Sequence, residues 1–195
     1  MKRISFKDSG GLNLTQAVLE GRKTMTRRAV IEQIEADAMV YAEGKSEFTR
    51  VKFEYILKHS PYKVGDVVAI QQAYKEVYKE LFGATITQTA LKRTAGWWNK
   101  MFVKAELMPH HIRITDVRVE RLQLIPYEDC LREGVSPVWD VATEPHQING
   151  YYFAGAYSVY DTPRKAFAAL IDKVSGRGTW NSNPLVWVYS FELVD

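Results

Sequence analysis

A single cysteine, Cys130, stands in the chain, and that scarcity excludes two devices at once. An internal disulfide needs a second cysteine, and a Cys-rich zinc site needs several. The lone thiol is read as a small buried hydrophobe, in keeping with a reducing compartment. Long apolar runs are missing as well: no stretch reaches the roughly 18 residues that span a bilayer as a helix, so no membrane partner is expected. The opening residues, Met1 to Phe6, run into charge without an apolar h-region, which predicts no secretory signal and a cytoplasmic location. Charge of one sign is also lacking, because 26 Lys and Arg against 23 Asp and Glu leave a net +3. That balance falls short of the strongly basic composition that by itself announces a nucleic-acid binder. Histidine is sparse too. His110 and His111 are adjacent, so on a strand they face opposite sides and cannot chelate one metal. No other His, Cys and acid grouping has ligand spacing, and neither a metal nor another cofactor is expected.

What is present is an ordinary globular composition, 46% hydrophobic and 25% charged over 195 residues. That length suits one domain over 1–195 with large insertions, at about 30–60 and 136–162. A short strand over Arg3 to Phe6 leads into a turn at Asp8 to Gly11. Leu14, Ala17 and Val18 mark a helix that Asn13 or Thr15 can cap and Gly21 can end, so the segment from Arg22 to Arg28 is delivered at a helix exit. Residues 30–59 carry one or two helices. Val67 to Ile70 is a β-branched strand after Gly65-Asp66. Tyr74 to Trp98 has no clean period and reads as an irregular excursion or a β-hairpin. Met101 to Leu107 reads as a strand. A longer one covers His111 to Leu122, whose phase slips at Thr115-Asp116 and so predicts a β-bulge. Pro126 and Gly134 bracket a helix from Tyr127 to Glu133. A second helix opens at Thr162-Pro163, buries Phe167, Leu170, Ile171 and Val174, and stops at Gly176 and Gly178. Leu185 to Phe191 is the final strand.

Two features carry chemistry. Arg22, Lys23, Arg27 and Arg28 fall within seven residues that contain no acid, a focus of charge able to hold a phosphate or another anion. The plain alternative is a solvated basic turn. Lys23, Thr24, Thr26 and Glu133 are the residue types needed to open an amide or hold a polar base. A threonine hydroxyl is a weak nucleophile, and a partly desolvated lysine can activate it. Glu133 can then move the proton. Spacing does not bring these groups together, and a structural Lys23–Glu133 ion pair with Thr26 capping a turn explains the same residues. The insertion at 136–162 is aromatic, with Trp139, Tyr151, Tyr152, Phe153, Tyr157 and Tyr160. These rings offer either stacking surfaces for a base or a satellite hydrophobic cluster.

The order of segments adds a resemblance. A helix precedes Gly21-Arg22-Lys23-Thr24-Met25-Thr26-Arg27-Arg28, a Gly65-Asp66 pair precedes a strand, a strand and helix end in Glu133-Gly134-Val135, and an aromatic strand follows Asn183-Pro184. This order resembles the ASCH superfamily over about residues 3–28, 62–72, 101–135 and 163–193. Within it the chain looks most like the bacterial amidohydrolases of N(4)-acetylcytidine and the ASCH-domain proteins of phages and prophages. The resemblance implies an α+β fold, a PUA-like mixed β-barrel with flanking helices. It further implies Lys23, Thr26 and Glu133 as the catalytic set, Arg22, Thr24, Arg27 and Arg28 around the substrate, and a modified nucleoside or nucleotide as the partner. A non-catalytic RNA- or DNA-binding module is the alternative. The chain departs from the family where many members carry an acid at the position of Thr26. It departs again at Ala69-Ile70-Gln71-Gln72, where phage relatives place a Trp or Arg and then Glu. Nothing in the sequence sets the oligomeric state.

Overall fold

In the closing strand Leu185 to Phe191 are buried without a break. A continuous apolar run of this kind suits a strand covered on both faces. In the computed structural model, which describes residues 1–82, 91–140, 142 and 145–194, that strand is central. Five strands, β1 (Lys2–Ile4), β2 (Met25–Ala29), β3 (Val67–Ile70), β4 (His111–Arg121) and β7 (Leu185–Leu193), form one mixed sheet in the order β1-β3-β4-β7-β2. β1 and β3 are parallel, and the other neighbours are antiparallel. The remaining strands, β5 (Ser136–Asp140) and β6 (Gln147–Tyr152), make a separate antiparallel pair. In β4 the register against β7 shifts between Ile114 and Asp116, so Thr115 is the extra residue that the phase slip predicts.

Seven α-helices complete the described residues: α1 (Leu14–Leu19), α2 (Glu32–Ala42), α3 (Phe48–Lys58), α4 (Tyr74–Phe82), α5 (Tyr127–Arg132), α6 (Pro163–Ser175) and α7 (Thr179–Ser182). The fold is mixed α+β, and no helix among the described residues is long and apolar enough to cross a membrane. Thr162 caps α6 by accepting from the Lys165 backbone N–H at 3.2 Å, and the helix buries Ala166, Phe167, Leu170 and Ile171. At α1 the expected caps are displaced. Asn13 holds the cap position without a side-chain bond, while Asp8 accepts from the Thr15 backbone N–H at 2.8 Å and its hydroxyl at 2.7 Å.

Residues 30–59 form two helices, α2 and α3, joined by a Lys52–Glu35 ion pair at 2.9 Å. They dock on the sheet through Ala38 and Ile56, both fully buried, and the Trp187 indole N–H donates to the Ile56 carbonyl at 3.0 Å.

Two expectations are corrected. Tyr74 opens a helix rather than an irregular excursion or hairpin, and residues 83–90 of that stretch lie outside the described residues. The interspersed Lys75, Glu76, Lys79 and Glu80 hide its period, but Tyr74 and Val77 are buried at i, i+3, and Glu76 accepts from the Ala73 N–H at 3.0 Å as a start signal. Met101 to Leu107 is two 3₁₀ turns, Lys100–Phe102 and Ala105–Leu107, not a strand. Adjacent Met101 and Phe102 are both exposed, which breaks strand alternation, and the Asn99 side chain accepts from the Met101 N–H at 2.9 Å, stabilising a turn instead.

The aromatic insertion is the β5–β6 pair and its return. Tyr151 and Tyr160 exchange backbone hydrogen bonds at 2.7 and 2.8 Å, and Tyr151 and Phe153 join the main core, whereas Trp139, Tyr152 and Tyr157 are exposed. If Trp187 fastens α3 to the sheet as described, Trp187→Phe should destabilise the protein by about 1–3 kcal/mol in denaturant unfolding, from a lost hydrogen bond and a small cavity. An unchanged midpoint would show that α3 is held by other contacts.

Candidate functional site

Gly21 leaves α1 with φ of 72°, a left-handed turn that a side chain resists, and its N–H donates to the Val18 carbonyl at 2.9 Å. The chain then folds back so that the Lys23 N–H reaches the Ala17 carbonyl at 2.9 Å. Thr24 stitches this corner to two other elements: its N–H donates to the Arg132 carbonyl at 2.9 Å, and its carbonyl accepts from the Phe191 N–H at 3.0 Å. Lys23 is therefore fixed between the end of α5 and the central strand. Beyond it the chain is strand β2, with Thr26 opposite Tyr189 and Arg27 opposite Val188, so the alternative of a basic turn does not hold.

Lys23 is 3% exposed, and its ammonium donates to Glu133 Oε2 at 2.6 Å and to the Glu133 carbonyl at 2.9 Å. Glu133 terminates α5, so its backbone and side chain meet the same amine. The other Glu133 oxygen accepts from Arg27 Nη1 at 3.1 Å. Arg27 Nη2 continues to Asp129 Oδ2 at 2.8 Å and Glu120 Oε1 at 2.7 Å, and Arg118 binds the same two acids from outside. Three cations, Lys23, Arg27 and Arg118, thus meet three carboxylates, Glu133, Asp129 and Glu120.

Burial pulls the Lys23 pKa below the ordinary lysine value, because the ammonium loses its hydration and Glu133 restores only part of it. Burial also works against the Arg27 charge, but Glu133, Asp129 and Glu120 outweigh it and raise its pKa. The Cys130 thiol is pushed up to about 11, chiefly by burial, so it stays protonated and inert.

Lys23, Thr26 and Glu133 line one narrow cavity of about 30 Å³, walled on its apolar side by Phe167 and Leu170 of α6. It adjoins a wider cleft of about 580 Å³, with Phe6, Lys7, Arg28 and Val174 lining both. The narrow end admits a water or a small group, whereas the cleft falls within the roughly 300–1,000 Å³ of small-molecule sites. Trp139, Tyr152 and Tyr157 line neither space.

Of the four residues expected around a substrate, the structure places Arg28 on both spaces and the others elsewhere or already engaged. Arg22 is exposed and pairs with Glu20 at 2.5 Å. The Thr24 hydroxyl faces Arg132 Nε at 3.4 Å. Arg27 lines the narrow end, but its guanidinium is fully enclosed and committed to carboxylates, so the picture of a free basic turn is corrected. Sequence reasoning missed Glu120, Asp129 and Arg118. The available signal was Asp129 one helical turn before Glu133, which puts two acids on one side of α5. No group of His, Cys, Asp and Glu among the described residues can hold a metal ion.

No protein-family model and no curated protein matches the chain. Among solved structures it is similar to protein EF3133 of Enterococcus faecalis, described as a DUF984 protein. The two are 13% identical with a TM-score of 0.45, over 100% of this chain and 77% of the other. A likeness at that level assigns neither a family nor an activity.

Removing Arg27 should leave three carboxylates without their shared cation. Arg27→Met is expected to cost about 3–5 kcal/mol of unfolding free energy by urea titration, as for other broken buried ion pairs. A loss under about 1 kcal/mol would mean that the acids find other partners.

Proposed function

We propose that the chain is an ASCH-type protein, PUA-like in fold, whose cleft takes a modified nucleoside or nucleotide in the cytoplasm and hydrolyses the amide of an N(4)-acylated cytidine. One observation supports this reading above the rest: Lys23 and Thr26 share a water-sized cavity with Glu133, a residue 110 positions beyond Lys23, and the lysine is buried enough to lower its pKa. The fold family enters from the resemblance in segment order.

In this mechanism the body of the substrate occupies the wide cleft and its acyl group enters the narrow end. Neutral Lys23 takes the proton from the Thr26 hydroxyl as Thr26 Oγ bonds to the acyl carbon. The C–N bond then breaks, and the proton passes from Lys23 to the departing amine, releasing cytidine. Water next attacks the threonine ester and gives up a proton to Lys23, and the threonine hydroxyl is restored as the carboxylic acid leaves. Glu133 holds the amine in place and stabilises its charged form between these transfers.

The alternative, a non-catalytic RNA- or DNA-binding module, asks Arg22, Lys23, Arg27 and Arg28 to contact phosphates. Lys23 and Arg27 already bind carboxylates in the interior, which favours the small-molecule reading.

Lys23→Met and Thr26→Val should each lower acyl-cytidine hydrolysis by about a hundredfold or more, with circular dichroism unchanged. The double variant should be little worse than either single one, because both act on one step. Wild-type turnover in either variant would overturn the assignment.

The active form of the base is the unprotonated amine, so kcat/KM should rise as pH rises through the Lys23 pKa. Because burial lowers that value, the ascending limb should have its midpoint below 10.5. A pH-independent rate across that range would remove Lys23 as the base.

A further inference from the structure

Arg28 is the one basic residue between Arg22 and Arg28 that has no carboxylate partner among the described residues. Arg22 pairs with Glu20, Lys23 with Glu133, and Arg27 with Glu120, Asp129 and Glu133. The Arg28 guanidinium makes one hydrogen bond, from Nη2 to the Ser5 carbonyl, and lies over the Phe6 ring at 5.9 Å. Burial lowers its pKa, with only weak relief from Tyr62, Glu133 and Tyr189. Arg28 is half-buried rather than enclosed, so its charge is partly desolvated without a carboxylate and marks a place where an anionic ligand can complete the pair.

Its position says which ligand. Arg28 lines both the narrow end and the wide cleft, so a ligand in either space meets it. Of the other cleft cations, Lys100 pairs with Asp8 at 2.6 Å, whereas Lys7 meets only the carbonyls of Lys173 and Val174 at 2.8 and 3.1 Å and is a second cation without a carboxylate beside Arg28. The acids that line the cleft are also occupied, Asp8 by Lys100 and Thr15, and Glu76 by the Ala73 N–H. Arg28 therefore supplies an unspent charge with the planar fork that suits two oxygens of one anion.

We propose that Arg28 is an oxyanion-binding residue, and that the substrate of this cleft carries a phosphate or carboxylate. The base and sugar of that substrate rest on the function proposed above, whereas binding of the anion does not.

The test compares wild type with Arg28→Gln and Arg28→Lys. Binding of inorganic phosphate, acetate, cytidine and cytidine 5′-monophosphate is measured by calorimetry, and turnover is followed on acetylcytidine, its 5′-monophosphate and a succinylated cytidine. Wild type should bind at least one of the two inorganic or carboxylate probes. Tighter binding of phosphate and the monophosphate identifies a phosphorylated substrate, and tighter binding of acetate with faster turnover of the succinyl compound identifies an acidic acyl group. Arg28→Gln should weaken the preferred anion by about 10- to 100-fold, the worth of hydrogen bonds to a charged group. Its melting temperature should stay the same or rise, since a partly desolvated charge without a carboxylate is removed. Arg28→Lys, which keeps the charge and loses the fork, should fall between. Anion affinity that is absent in wild type, or equal in wild type and both variants, overturns the proposal. Should Arg28→Gln fail to fold, the wild-type preference for anionic over neutral ligands and the Arg28→Lys loss decide alone. Anion binding that depends on Arg28 without hydrolysis of any acyl compound sinks the amidohydrolase reading and leaves the anion site. Hydrolysis of acetylcytidine that is indifferent to Arg28 and to added phosphate does the reverse.

Discussion

Inside the molecule the Arg27 guanidinium is enclosed by Glu120 from β4, Asp129 from α5 and Glu133 at the end of α5, and the geometry of the whole site depends on that enclosure. Such a cluster is a poor source of net stability, because stripping water from its five interior charged groups costs about as much as their attraction returns. Its effect is positional. With one Glu133 oxygen on Arg27, the other is left to face Lys23, and neither α5 nor β2 can move without breaking a buried pair. The same arrangement keeps the interior near neutrality, with Arg118 closing the outer side.

Lys23 then sits under two opposed influences. Loss of hydration favours the free amine, and Glu133 favours the ammonium. A general base needs that tension: too little burial leaves it charged, while a distant carboxylate would leave its charged form unsupported during proton transfer. The apolar wall of α6 maintains the low-dielectric side of this balance, and the small volume of the narrow end keeps bulk water away. Arg28 lies outside the neutral cluster, and its uncompensated charge is the feature that a ligand, rather than the protein, is left to satisfy.

Much of the frame was legible wherever the signal is local. The α6 stripe with its Thr162 cap, the buried run of β7 and the bulge at Thr115 follow from period and capping, which neighbouring residues determine. At 101–107 the apolar residues do not alternate in burial, and in α4 the charges conceal an apolar face, so neither element shows in the sequence pattern. For the site, the residues themselves left open whether Lys23 and Glu133 form an ion pair or a catalytic set, and the geometry contains the ion pair. Arg27 was harder. A sequence displays its charge but not its partners, and Glu120 and Asp129 lie 93 and 102 positions away. Four clustered cations therefore read as a surface for phosphates, when two of them are interior links.

If Lys23 serves as a base, its amine loses its proton inside a folded, carboxylate-braced site. Nitrogen-15 NMR titration of the lysine side chains, with the Lys23 signal assigned by its disappearance in Lys23→Met, tests this directly. The Lys23 midpoint is expected below 10.5, moving lower still in Glu133→Gln because the carboxylate is what opposes deprotonation. A midpoint at or above 10.5 in the wild-type protein would contradict that role and make the pair a structural ion bridge.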